Sequence, residues 1–150
     1  MYLLSKTSEY RYLRSGAFRD FIVFEESMTY LLITKDPFTE DSFLSPEAFL
    51  PSDRLMVFAN WEDALDACDG VDLMFVELTA TLDEPNKIAG YERFAHAKMA
   101  HPVARDVPLV LVAVPADYEL DFMVGFPDFV FAQVAHPITT KIFRRASTWI

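Results

Sequence analysis

Five apolar runs of strand length, none alternating with polar residues, constrain this chain more than any other feature. They cover residues 29–34, 54–59, 72–78, 108–114 and 128–134 and are near-continuous in Leu, Val, Phe, Ile and Met. A strand with one wet face alternates apolar and polar side chains. A strand that does not alternate is buried on both faces, which points to a parallel sheet covered by helices. The stretches between the runs fit those helices. Asn60 is placed to cap a helix that starts Trp61-Glu62-Asp63, with an acidic first turn suited to the helix dipole, and stops at Asp69-Gly70. Asn86 is placed to cap a longer helix to about residue 100, with Ile88, Tyr91, Ala95 and Met99 at helical spacing. Residues 117–124 read as a short helix ending at Gly125, and His136-Pro137 as the opening of a last one. In the first connection Ser45-Pro46-Glu47 starts a helix that Pro51 limits to a turn or two. Strand and helix in this alternation predict an α/β fold with five parallel strands in an open, doubly wound sheet. Its functional end is the carboxyl end of the strands, here residues 34–36, Asn60, residues 77–79, 114–115 and 132–133.

The chain has 150 residues, enough for one domain, and 52% of them are apolar, enough for one core. The longest apolar stretch, residues 107–116, is broken by Pro108 and Pro115, so no membrane insertion is expected. The opening Met-Tyr-Leu-Leu-Ser-Lys lacks the pattern of a secretory signal, and the single Cys68 can form neither an internal disulfide nor a cysteine-based zinc site. A cytoplasmic protein is the expectation. A net charge of −10 argues against nucleic acid as a partner, because backbone binding needs a concentrated positive surface. Most of that charge lies in residues 28–75, which hold ten acidic residues against Lys35 and Arg54. Such a segment is either a solvated face or an attraction for a basic partner.

Several of these segments, in order, resemble one family. Ile33-Thr34-Lys35-Asp36-Pro37, the run Phe58 to Leu65 through Asn60, Val71-Asp72-Leu73-Met74-Phe75-Val76-Glu77, residues 107–113, Gly125-Phe126-Pro127-Asp128-Phe129-Val130 and the helix after Pro137 are similar to the successive segments of response-regulator receiver domains of two-component signalling. The likeness covers about residues 29–148. It implies a receiver, or flavodoxin-like, sheet and a cleft for magnesium and phosphoryl transfer. A receiver has an acidic pair for magnesium, an Asp nucleophile, a Ser or Thr that reads the phosphoryl group and a Lys that neutralises it. In this chain the pair falls on Thr34 and Lys35, with Asp36 next to it, the nucleophile on Glu77 and the hydroxyl on Ala113. The Lys falls on Ala132 in a gapless alignment, or on His136 if the following Pro is matched. Glu77 is one methylene longer than Asp and would misplace an in-line attack. The resemblance therefore implies a degenerate pseudo-receiver and not an enzyme, with Glu77 either a stand-in for a phosphorylated aspartate, paired with Lys35, or a polar residue at a strand end.

No other motif carries chemistry. His96 and His101 are five residues apart and face different sides of a helix, no His/Asp/Glu group has ligand spacing, and four glycines leave no phosphate loop, so neither metal nor cofactor is expected. Residues 1–27 have no counterpart in the receiver pattern. Tyr10, Tyr12, Phe18, Phe21 and Phe24 make them too apolar for a free tail, so they are expected to pack on the domain formed by residues 28–150 or on a second subunit. The expected function is a phosphorylation-independent protein-interaction module in bacterial signalling, with a homodimer as one possible assembly. The family's usual contact surface maps to Phe122, Lys141, Arg144, Arg145 and Trp149. The alternative is a small-molecule sensor with its ligand at the strand carboxyl ends near Thr34, Lys35 and Glu77.

Overall fold

A computed structural model describes residues 27–85, 87–114 and 129–150. The N-terminal extension, the Asn86 cap, the helix expected at 117–124 and Phe122 lie outside the described residues. The sheet has five parallel strands in the order β2-β1-β3-β4-β5: β1 Thr29–Ile33, β2 Arg54–Phe58, β3 Leu73–Glu77, β4 Leu109–Ala113 and β5 Ala132–Ala135. Every side chain of β1, β3 and β4 is buried, as the unbroken apolar runs require, whereas β2 and β5 are edge strands and only half covered.

Alternate residues of the strands feed two cores. Leu31, Ile33, Met74, Val76, Leu109 and Leu111 pack with Leu65 of α2 (Trp61–Asp66) and with Tyr91 and Phe94 of α3 (Ala89–Ala100). Tyr30, Leu32, Leu73, Phe75, Val110 and Val112 pack with Phe43 of α1 (Pro37–Leu44) and Phe143 of α4 (Thr140–Ala146). The sheet is thus covered on both faces, the doubly wound arrangement expected from the sequence. Phe75 and Phe143 meet edge to face with ring centroids 4.9 Å apart, and Phe43, Phe49 and Tyr30 extend the same aromatic cluster. Much of the Phe content is absorbed here as core. Gly90 lets α3 start close beneath the turn after β3, since a Cβ there would lie 2.2 Å from the Thr81 carbonyl oxygen.

Three expectations are corrected. The first connecting helix is α1, which ends where Ser45-Pro46 was expected to begin it. Asp36 caps it, its Oδ1 accepting from the Phe38 N–H at 2.9 Å, and Pro37 takes the first helical position, which needs no N–H. The same cap-plus-proline signature stands nine residues upstream of Ser45-Pro46. The last helix opens at Thr140 under a Thr139 cap, and the preceding His136–Pro137 bond is cis and belongs to the turn that leaves β5. The fifth strand starts at Ala132, not at residue 128, because Phe129 and Val130 pack against the first core before the ladder begins. No helix among the described residues is long and apolar enough to cross a membrane.

Candidate functional site

Polar residues gather at the carboxyl end of the sheet because β1, β3 and β5 all end there. Glu77 is the last residue of β3, and although charged it is only 3% exposed. A buried carboxylate persists only if its oxygens are partnered. Both are. Thr34, just past β1, donates its hydroxyl to Oε1, and Thr39 of α1 donates to Oε2 at 3.0 Å. His136, just past β5, places Nε2 2.6 Å from the same Oε2 and 3.3 Å from Oδ2 of Asp36. Asp36 is held in turn, since its own N–H donates to Thr34 Oγ1 at 3.0 Å. One hydrogen-bonded unit therefore ties the ends of β1, α1, β3 and β5 together. Beside it lies a cavity of about 150 Å³ lined by Asp36, Glu77, Thr79, Val112, Ala113, Val114 and His136.

Of the residues singled out in the sequence, Thr34, Asp36, Glu77 and Ala113 meet at this cleft. Lys35 is exposed and takes no part in it, so the suggested Glu77–Lys35 pair is replaced by Thr34, Thr39 and His136. Ala132 is also displaced: it opens β5 opposite Val110, at the far end of the sheet, and the end of that strand is Ala135, followed by His136. The gapless register failed because the strand begins four residues later than its apolar run. The expectation that no His/Asp/Glu group could gather also fails. Asp36, Glu77 and His136 offer one ligand atom each, all within 4.8 Å of one another. Spacing along the chain concealed this, since the three come from different strand ends. The match of His136-Pro137 to the family's Lys-Pro was the available signal, and Thr39 offered none.

On the proposed contact surface Lys141 and Arg145 are exposed. Arg144 is exposed as well, but its Nε donates to the Glu47 carbonyl at 3.0 Å and so braces α4 on the segment after α1. Trp149 is half-buried against the second core and serves the fold.

No family model matches the sequence, and no curated protein does either. Solved structures do match. The receiver domain of the sensor histidine kinase PA1611 from Pseudomonas aeruginosa superposes with a TM-score of 0.58 at 15% identity, over 80% of this chain and 93% of that domain, and holds magnesium in its active-site cleft. The receiver domain of the TMAO respiratory system response regulator TorR gives 0.58 at 17% identity, over 81% of this chain and 93% of that one. The bacteriophytochrome response regulator AtBRR gives 0.57 at 19% identity, covering 83% and 92%. The fold is that of response-regulator receiver domains, and the cluster at Glu77 lies at the carboxyl end of the strands, where open α/β sheets bind ligands.

The residues present do not fit magnesium. That ion takes oxygen ligands in near-ideal octahedral geometry and keeps several waters. Here both Glu77 oxygens already accept hydroxyl hydrogen bonds, Asp36 offers one oxygen, and the third ligand atom of the group is an imidazole nitrogen.

Proposed function

We propose that this chain is a degenerate receiver module of signal transduction that works by binding a partner protein, independently of phosphorylation. The observation that carries the reading is the state of Glu77. By the resemblance its carboxylate stands for the phospho-acceptor; in the structure it is buried and bonded by Thr34, Thr39 and His136. A nucleophile needs a free lone pair and an approach path, and a phosphoryl switch needs a hydroxyl to follow the new group. Burial and three hydrogen-bonding partners deny Glu77 the approach path, and Ala113 cannot supply the hydroxyl. The cleft is held in one arrangement, so what remains for function is surface. A small-molecule sensor is the less favoured reading, because a 150 Å³ cavity is about half the lower end of ordinary ligand pockets.

The test is incubation of the purified chain with acetyl phosphate and magnesium, and separately with beryllofluoride. No phosphoryl mass gain and no magnesium-dependent NMR shifts at Thr34, Glu77 and Ala113 are expected. A gain of one phosphoryl group, or such shifts, overturns the reading. The surface has its own test. Lys141 and Arg145 lie at i and i+4 on α4 and form a local cationic patch on an acidic protein, suited to an acidic patch on the partner or on a second copy. Reversing both to Glu is expected to abolish association and leave the melting curve within about 0.5 kcal/mol of the parent. Arg144 is left in place because it braces the fold. Unchanged association in the double variant excludes this face.

A further inference from the structure

We propose that the cleft binds a divalent ion of borderline softness, zinc(II) being the reference case, through Asp36 Oδ2, Glu77 Oε2 and His136 Nε2. The inference rests on how these three atoms are presented and stands apart from the partner-binding reading. Nε2 of His136 faces two carboxylate oxygens at once, Glu77 Oε2 at 2.6 Å and Asp36 Oδ2 at 3.3 Å. One N–H cannot serve both well, and a single imidazole, even protonated, cannot neutralise two carboxylates. A divalent cation among the three atoms meets both demands.

The remaining atoms of the cluster hold the ligands in place for such an ion. Asp36 spends Oδ1 on the Phe38 N–H, which leaves Oδ2 turned towards His136. Glu77 spends Oε1 on the Thr34 hydroxyl, and Thr39 steadies Oε2 while a second lone pair of that oxygen stays available. Each carboxylate is thus oriented by a neighbour that is not itself a ligand, the outer-shell support typical of metal sites. Ligand atoms about 2.0–2.2 Å from a tetrahedral zinc lie about 3.3–3.6 Å from one another. The His136–Asp36 separation already matches, and the shorter His136–Glu77 separation opens to it with a shift of under about 1 Å. An imidazole with two carboxylates suits zinc and its neighbours in the transition series, whereas magnesium and calcium prefer oxygen alone. Three protein ligands leave a coordination position, and the cavity lined by Thr79, Ala113 and Val114 lies beside it with room for water.

The experiment titrates the chelator-stripped full chain with zinc chloride by calorimetry and with cobalt(II) by visible absorbance. One ion per chain is expected, with cobalt d–d bands and a shift of the His136 ring resonances, and with no competition from millimolar magnesium. His136→Gln and Asp36→Asn are each expected to weaken binding by about tenfold or more. Asp36→Asn keeps the cap of α1, so it reports on the ion even if His136→Gln folds poorly. His101→Gln is the control, because His101 lies against Asp66 away from the cleft, and it is expected to bind as the parent does. Absence of zinc and cobalt binding overturns the proposal. So does binding that magnesium displaces, or that survives Asp36→Asn while the His136 resonances stay unmoved. The phosphoryl-transfer measurement uses neither ion, so the failure of one reading leaves the other intact.

Discussion

Two charged side chains are buried among the described residues, Glu77 at 3% exposure and Lys98 at 2%, and they sit at opposite ends of the sheet. Glu77 closes β3 at the carboxyl end, where side chains from α1 and from the segments after β1 and β5 converge on it. Lys98 comes from α3, and its Nζ donates at 2.7 Å to the Val107 carbonyl, just before β4 begins. Its other neighbour is the Phe129 ring, with the centroid 5.4 Å away. Each borders a cavity, but the first charge is met by three polar side chains. The second is met by one backbone oxygen and an aromatic face. A group met by side-chain hydroxyls and an imidazole from three other elements ties those elements together at the strand ends. A group pinned to the backbone is a strut between a helix and the strand that follows it. Burial alone does not separate the two cases, and the nature of the partners does.

The largest expected effect comes from removing the Glu77 carboxylate while its partners stay. Glu77→Leu leaves the Thr34 and Thr39 hydroxyls and His136 without their acceptor in a buried place, and is expected to cost about 3–5 kcal/mol in urea unfolding. Glu77→Gln keeps the shape and one acceptor oxygen, and is expected to cost clearly less. Equal losses in the two variants would mean that shape, not the bonded unit, holds the strand ends together. Lys98→Met is expected to differ from the parent by at most about 1 kcal/mol at neutral pH. It strands the Val107 carbonyl, yet it also removes an ammonium that burial desolvates, and the two effects oppose each other. A loss as large as that of Glu77→Leu would erase the contrast between site and strut.

What the sequence made legible follows the same division. The unbroken runs at β1, β3 and β4 predicted buried parallel strands, and Asn60 was readable as a cap because a side-chain acceptor before an acidic turn is a local signal; its Oδ1 indeed accepts from Glu62 and Asp63. The cleft positions Thr34, Asp36 and Glu77 were legible through strand ends, which the fold class fixes, and Ala113 through the resemblance. Hydropathy did not choose His136 over Ala132, because the apolar run before β5 belongs partly to core packing by Phe129 and Val130, and hydrophobicity does not distinguish a ladder residue from one that packs beneath it; only the following Pro pointed to His136. Thr39 was not legible either. A threonine in a helix reads as neutral, and only the tertiary approach of α1 to β3 turns its hydroxyl towards a carboxylate.

The smallest effect is a pH dependence, and its sign distinguishes the strut from a comfortable surface lysine. The Lys98 ammonium is held below its ordinary value of 10.5, chiefly because burial strips its water, with Cys68 and Asp106 pulling weakly the other way. Below the lowered value the folded and unfolded chains both carry the proton, and the cost of burying the charge is present in full and constant. As pH rises through the folded value, the folded chain releases its proton while the unfolded chain keeps it up to about 10.5. The unfolded state then binds more protons, so stability rises with pH in that window. Cys68 acts oppositely, since burial pushes its thiol from 9.0 up to about 11, and the unfolded chain loses that proton first. Stability curves for the parent and Lys98→Met, both in a Cys68→Ala background, remove the competing group, and Tyr30 and Tyr91 are common to both chains. The difference between the curves is expected to be flat at neutral pH and to move in favour of the parent as pH approaches 10.5. A difference that stays flat, or moves towards Lys98→Met, would show that the ammonium is solvated as well in the fold as in water, and the strut would then be no more than a surface lysine lying flat.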